Sequence, residues 1–198
     1  MELRPTKLDG VVELIPKRHG DHRGWFSEVW NESTLKDVGI TIEWVQDNEA
    51  FSAAVGTLRG LHFQVEPHAQ DKLVRAVKGS IVDVAVDLRA SSATYGQHVA
   101  VELNDELGNQ LLVPKGFAHG YCTLVPDTII GYKVSGYYSP ECDRGIRWND
   151  PDLAVAWPVD ADKAVLSEKD INAPLLACLL YTSPSPRDAT LSRMPSSA

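Results

Sequence analysis

Along most of this 198-residue chain, apolar and polar positions alternate with the two-residue period of half-buried strands, and the 3.6-residue period of a helix is nearly absent. The first apolar piece, Leu8 to Ile15, carries Val11, Val12, Leu14 and Ile15 and stops at Pro16, which predicts a first strand or strand pair. A polar loop over 17–24 follows, holding Gly20 and Gly24, and leads into strand-like alternation from Trp25 to Trp30. Asn31 to Gly39 is predicted as the one short helix. Asn31 suits the cap, Leu35 and Val38 share a side, and Gly39 suits the position just past the end. Ile40 to Val45 resumes strand character. The polar run Gln46-Asp47-Asn48-Glu49, with Ser52 and Gly56 after it, reads as a turn or as the lining of a pocket, because Asn and Asp readily bond their own backbone.

In a strand over Leu58-Arg59-Gly60-Leu61-His62-Phe63-Gln64, strict alternation puts Gly60, His62 and Gln64 on one face and Arg59, Leu61 and Phe63 on the other. His62 then lies on a sparsely filled face that suits a pocket floor. Ser80 to Leu88 has the cleanest pattern, with Val82, Val84, Val86 and Leu88 apolar on one face and Asp83 and Asp87 on the other. Further short strands are predicted around Val99–Leu103, Leu111–Val113, Tyr121–Leu124, Thr128–Val134 and Tyr137-Tyr138, separated by turn signals such as Pro126-Asp127 and Ser139-Pro140. This pattern predicts an all-β sandwich or barrel formed by one domain over residues 1–177. From about Cys178 the chain turns Ser/Pro-rich without apolar period. Residues 178–198 are expected to be a disordered tail or an extension foreign to the fold.

Charge narrows the partners. Lys and Arg total 19 against 27 Asp and Glu, a net charge of -8, which argues against non-specific nucleic-acid or anionic-membrane binding. Any anionic ligand must be held by a local basic cluster. The three cysteines have neither metal-finger spacing nor the density of a disulfide framework, and no run has the length of a membrane span or the form of a signal peptide. A soluble protein of a reducing cytoplasm is expected.

A lone histidine is more often structural than chemical. Here Arg59, His62 and Lys72 are joined by a second histidine-bearing turn, Pro114-Lys115-Gly116-Phe117-Ala118-His119-Gly120, and the constellation points to a site. Taken with Asp21-His22-Arg23-Gly24, Phe26-Ser27-Glu28, Gln46-Asp47-Asn48, Gln70-Asp71-Lys72-Leu73-Val74-Arg75, Tyr132-Lys133, Tyr137-Tyr138-Ser139-Pro140-Glu141, Arg144-Gly145-Ile146-Arg147-Trp148 and Leu166-Ser167-Glu168-Lys169-Asp170, the chain closely resembles the dTDP-4-dehydrorhamnose 3,5-epimerases. The resemblance runs in order over nearly all of residues 1 to about 175. It implies a cupin jelly roll, a homodimer with exchanged N-terminal strands, no metal or other cofactor, and a role in making dTDP-L-rhamnose. The implied substrate is dTDP-4-dehydro-6-deoxy-D-glucose, inverted at C3 and C5.

The C4 ketone of such a substrate acidifies the neighbouring hydrogens, and imidazole is the natural base near neutral pH, a role His62 fits. A carboxylate must hold the base in one tautomer. Asp83 and Asp170 are both candidates, and the resemblance favours Asp170. Enolate charge calls for a preorganised cation, for which Lys72 is chosen. The resemblance makes Tyr132 the opposite-face acid, with Tyr138 lining the sugar site. Pyrophosphate suits guanidinium forks, and Arg23 and Arg59 match the family's binding residues. Binding roles are likewise implied for Phe26, Glu28, Gln46, Asp47, Asn48, His119 and Lys169, some acting across the dimer. The family usually has Glu at position 143, so Asp143 reaches one methylene less far toward a ligand. Three alternatives remain open: a relative that inverts one carbon only, a metal cupin using His62, His68 and His119, and a non-catalytic sugar-nucleotide binder. Gln64 stands where a metal cupin would pair a second histidine.

Overall fold

The computed structural model describes residues 1–179. The strands are β1 (Glu2–Pro5), β2 (Val12–Ile15), β3 (Arg18–Asp21), β4 (Gly24–Ser27), β5 (Gln46–Ser52), β6 (Leu58–Gln64), β7 (Lys72–Lys78), β8 (Ser80–Asp87), β9 (His98–Asn104), β10 (Gln110–Val113), β11 (Phe117–Thr123), β12 (Thr128–Val134) and β13 (Asp143–Gly145). The helices α1 (Glu32–Asp37), α2 (Glu168–Ile171) and α3 (Leu176–Leu179) are short. One antiparallel sheet runs β1-β2-β10-β7-β12-β5, a second runs β13-β6-β11-β8-β9, and β3-β4 form a separate hairpin. The all-β, cupin-like expectation agrees with this architecture. Among the described residues no helix is long and apolar enough to cross a membrane.

The main core lies between the sheets, where Val74, Ala76 and Ile130 meet Ile81, Ala85, Leu103, Phe117 and Tyr121. Alternation along β8 follows the expected parity, but its two faces have unexpected neighbours. The apolar face, Val82, Val84 and Val86, lies away from the main core under Leu153, Trp157 and Leu176, and Asp83 is fully buried as well. Leu179 also packs on this outer cluster, so described structure continues past residue 177. The predicted tail otherwise falls on 180–198, outside the described residues.

Several local expectations need correction. Tyr137-Tyr138 lies in a loop and not in a strand, and α2 and α3 add to the one helix expected. Ile40 to Val45 forms no strand. Its Ile40, Ile42 and Trp44 pack with Trp30 and Leu35 over Leu14, Leu73 and Leu112, covering the outer face of the six-stranded sheet, and Val45 N donates to Val134 O at the end of β12 at 3.0 Å. The polar run at 46–49 is the start of edge strand β5, paired with β12 from Gln46↔Val134 to Ser52↔Thr128. Turn-forming residues are tolerated there because an edge strand leaves one side to solvent. Arg18 to Asp21, expected as loop, pairs with β4, and that hairpin leaves Trp25 and Phe26 58% and 70% exposed. The α1 expectation holds: the Asn31 side chain accepts from Thr34 N, and Gly39 follows at φ +87°.

A candidate active site between the sheets

Beside the core the sheets enclose a two-lobed cavity, about 440 Å³ in the first lobe and 240 Å³ in the second, both bounded by His62, Lys72 and Tyr132. The six-stranded sheet contributes Lys72 from β7 and Tyr132 from β12. The five-stranded sheet contributes Arg59 and His62 from β6 and His119 from β11. Strict alternation would turn Arg59 away from His62, yet both line the first lobe. The register shows why: His119 pairs with His62 but Tyr121 pairs with Arg59, so β6 carries one extra residue there. Gly60 sits in that bulge at φ +123°. A Cβ on it would lie 2.6 Å from Gly120 Cα and 2.7 Å from the His119 carbonyl oxygen, which leaves room for glycine alone.

His62 Nε2 is 2.6 Å from Asp170 Oδ1. Asp170 is held by a reciprocal cap on the single-turn α2, where Ser167 Oγ donates to Asp170 Oδ2 at 2.6 Å and accepts from Asp170 N at 3.2 Å. Burial pushes the Asp170 carboxyl up, but the hydrogen bonds from His62 and Ser167 outweigh it and hold the carboxyl below its ordinary range. His119 Nε2 makes an equivalent 2.6 Å contact with Asp83 Oδ1. The choice between Asp83 and Asp170 is thereby resolved: Asp170 serves His62 and Asp83 serves His119. His62 Nδ1 has no hydrogen bond among the described residues.

The Lys72 ammonium has no ion pair or hydrogen bond among the described residues, and burial pulls it down to about 8, with Asp83 and Asp143 acting in the opposite sense. Burial pushes the Tyr132 phenol above its ordinary value, opposed by the nearby Arg59 charge. The resulting set is an imidazole held by a carboxylate, an unpaired ammonium and a neutral phenol around one space. Such a set can remove a proton, stabilise an oxyanion and return a proton.

Gln46, Asn48, Gln64, Tyr138, Asp143 and Lys169 line the second lobe. Asp143 accepts from Tyr138 Oη at 3.0 Å and from Lys169 Nζ. Gln64 is 8% exposed and ties down the neighbouring loop, donating to His68 O and Tyr137 O and accepting from Ser139 N.

Four predicted binding residues line neither lobe. Asp47 falls on the outer face, 2.7 Å from Lys133 Nζ. Arg23 is paired with Asp21 in solvent, Phe26 projects from the hairpin, and Glu28 accepts from Asn31 Nδ2 at 2.9 Å and Thr34 Oγ1 at 3.2 Å. Tyr121 and Ser167 line the first lobe without having been singled out. The inward parity of Tyr121 with His119 was the signal for the former. His68 lines a separate, open depression, and among the described residues no three His, Cys, Asp or Glu side chains form a metal-holding group.

The family model described as dTDP-4-dehydrorhamnose 3,5-epimerase matches residues 5–177. The chain is 54% identical over 170 residues to the dTDP-4-dehydrorhamnose 3,5-epimerase of Sinorhizobium fredii, covering 83% of this chain and 85% of that protein. A crystal structure of the Bacillus anthracis dTDP-4-dehydrorhamnose 3,5-epimerase with TDP and PPi bound has a TM-score of 0.86 at 48% identity, over 88% of this chain and 99% of that one. A Legionella pneumophila dTDP-6-deoxy-D-glucose-3,5-epimerase in complex with dTDP-4-keto-L-rhamnose has a TM-score of 0.84 at 41% identity, over 89% and 93%.

Proposed function

Because the chain belongs to the dTDP-4-dehydrorhamnose 3,5-epimerase family, we propose that it converts dTDP-4-dehydro-6-deoxy-D-glucose to dTDP-4-dehydro-L-rhamnose, with His62 as base and Tyr132 as acid. The observation that carries this reading is the convergence of His62, Lys72 and Tyr132 on one cavity, with Asp170 behind the imidazole. The His62 ring takes the hydrogen from the carbon beside the C4 ketone, and the electron pair moves onto the ketone oxygen as an enolate. Asp170 stabilises the imidazolium that forms. The Lys72 ammonium offsets the enolate charge. Tyr132 gives its phenolic proton to the opposite face of the same carbon, restoring the ketone with inverted configuration. The tyrosinate is stabilised by Arg59 and regains a proton from solvent as the imidazolium loses one. Repeating the cycle at the second carbon completes the double inversion.

Assembly forms part of the proposal. The hairpin carrying Arg23 and Phe26 exposes two large aromatic side chains away from its own cavity, which supports a homodimer whose hairpins exchange and bring Arg23, Phe26 and Glu28 to the partner's site. The protein then works in the cytoplasm, where sugar nucleotides are made.

Turnover in deuterated water tests the chemistry. Proton NMR of the product is expected to locate solvent deuterium at both C3 and C5. Label at one carbon replaces the double epimerase with a single-site one. Tyr132→Phe is expected to exchange substrate hydrogens while forming little inverted product, and full inversion by that variant removes Tyr132 from its role.

A further inference from the structure

We propose that Asp143 is a positioning residue that clamps Lys169 and Tyr138 across the second lobe of the cavity, fixing both against the bound sugar nucleotide; this rests on the functional reading above. Both contacts fall on one oxygen, Oδ2, which accepts from the Tyr138 hydroxyl at 3.0 Å and from the Lys169 ammonium. The Asp143 side chain is 11% exposed while that of Lys169 is 54% exposed, so the carboxylate is the sheltered member of the pair.

The three residues differ in how firmly the fold holds them. Asp143 opens β13, paired with Gln64, and two residues later Gly145 pairs with His62. The same sheet that places the base therefore fixes the Asp143 carboxylate. Lys169 rides on the single turn of α2, and Tyr138 rides on the loop between β12 and β13. The four residues of α2 are too few to be stable as an isolated helix, so Lys169 depends on tertiary contacts for its position. Asp143 anchors Lys169 from one side and Tyr138 from the other, and Gln64 pins the backbone beside Tyr138 through Tyr137 O and Ser139 N. Lys169 also directly precedes Asp170, so a tie on Lys169 steadies the turn that presents the carboxylate to His62.

Charge supports an indirect role for Asp143. A bare carboxylate beside a diphosphate-bearing ligand repels it, whereas one neutralised by Lys169 does not. The ammonium is held in the lobe while its exposed side stays open to an anionic ligand.

A thermodynamic cycle separates positioning from direct contact. Asp143→Asn is expected to raise KM about tenfold, with a smaller fall in kcat, the size of effect that coupled neighbours show. Added to a Lys169→Met/Tyr138→Phe background, which lacks both partners, the same substitution is expected to change KM by less than about twofold, because nothing is left to clamp. Asp143→Glu, which keeps the carboxylate, is expected to recover most of the loss. Full additivity of Asp143→Asn with the double variant overturns the proposal and makes Asp143 an independent ligand contact.

A second readout needs no turnover. With ¹³C-labelled tyrosine, the Tyr138 resonance, assigned by its loss in Tyr138→Phe, is expected to titrate at lower pH in Asp143→Asn than in wild type. An unchanged titration removes the Tyr138 half of the clamp. A wild-type protein that leaves the sugar nucleotide unconverted fails the functional reading, while this titration still decides the clamp.

Discussion

His62 stands directly opposite His119 in the antiparallel register of β6 and β11, yet the two imidazoles hold different carboxylates, Asp170 and Asp83. The two dyads therefore separate by mutation. Asp170→Asn is expected to lower kcat by about 10–100-fold, as loss of an orienting partner commonly does, with solvent exchange of substrate hydrogens falling in parallel. Asp83→Asn, checked for an unchanged fold by circular dichroism, is expected to act mainly on KM and to leave exchange near wild type. Because Asp83 also helps keep Lys72 charged, the comparison is made well below pH 8; loss of exchange there in Asp83→Asn, with exchange retained in Asp170→Asn, would transfer the base to His119.

Lys72 is expected to set the upper pH limit of activity. Its ammonium is the proton-bound form, and burial brings it down to about 8 from the ordinary 10.5. The charge that stabilises the enolate is thus present below about 8 and lost as pH rises through that value. The basic limb of kcat/KM, which reports the free enzyme, is expected near pH 8, well before the Tyr132 phenol ionises, because burial pushes that group upward. Lys72→Arg keeps the cation and is expected to move the limb upward; a limb left at the same pH assigns it to another group. Folding has the opposite dependence. The lowered value penalises the charged form in the folded state, so this group's cost is greatest below about pH 8 and is relieved as pH rises toward 10.5.

Hairpin exchange is tested by complementation. Among the described residues of its own chain, Glu28 supports the start of α1 through Asn31 and Thr34. If the hairpin completes a partner's site, mixing Glu28→Ala with His62→Ala and allowing subunit exchange is expected to restore up to about 25% of wild-type activity, since half the dimers are mixed and each then has one intact site. No recovery despite exchange confirmed by mass spectrometry would return Glu28 to a purely local role.

Gly60→Ala is expected to destabilise the fold and misplace the site together. The added Cβ meets backbone of β11 at 2.6 and 2.7 Å, at a φ that side chains resist. Strain of about 1–3 kcal/mol predicts a fall in Tm of roughly 2–10 °C. Activity is expected to drop further, because the same bulge turns Arg59 toward His62. An unchanged Tm and kcat would show that β6 relaxes around the methyl group.

The alternation of β8 and the capped helix starting at Asn31 were legible in the sequence, because side-chain parity and capping are local properties that survive into the fold. The motif order that carried the family resemblance was legible for the same reason: it belongs to the chain and needs no coordinates. What covers each face was decided by tertiary structure. Nothing local to Val82, Val84 and Val86 says that their cover comes from residues near 153–176. Apart from the family resemblance, which favoured Asp170, nothing in the residue pattern told Asp83 and Asp170 apart, since 108 residues separate His62 from the carboxylate it holds and only the docking of α2 beside β6 brings them to 2.6 Å. The sharpest divergence is at Arg59. Alternation set it opposite His62, and one extra residue at Gly60 rotates it into the same cavity, because strand parity is fixed along an unbroken ladder and is reset by a bulge that two close-approaching backbones define together.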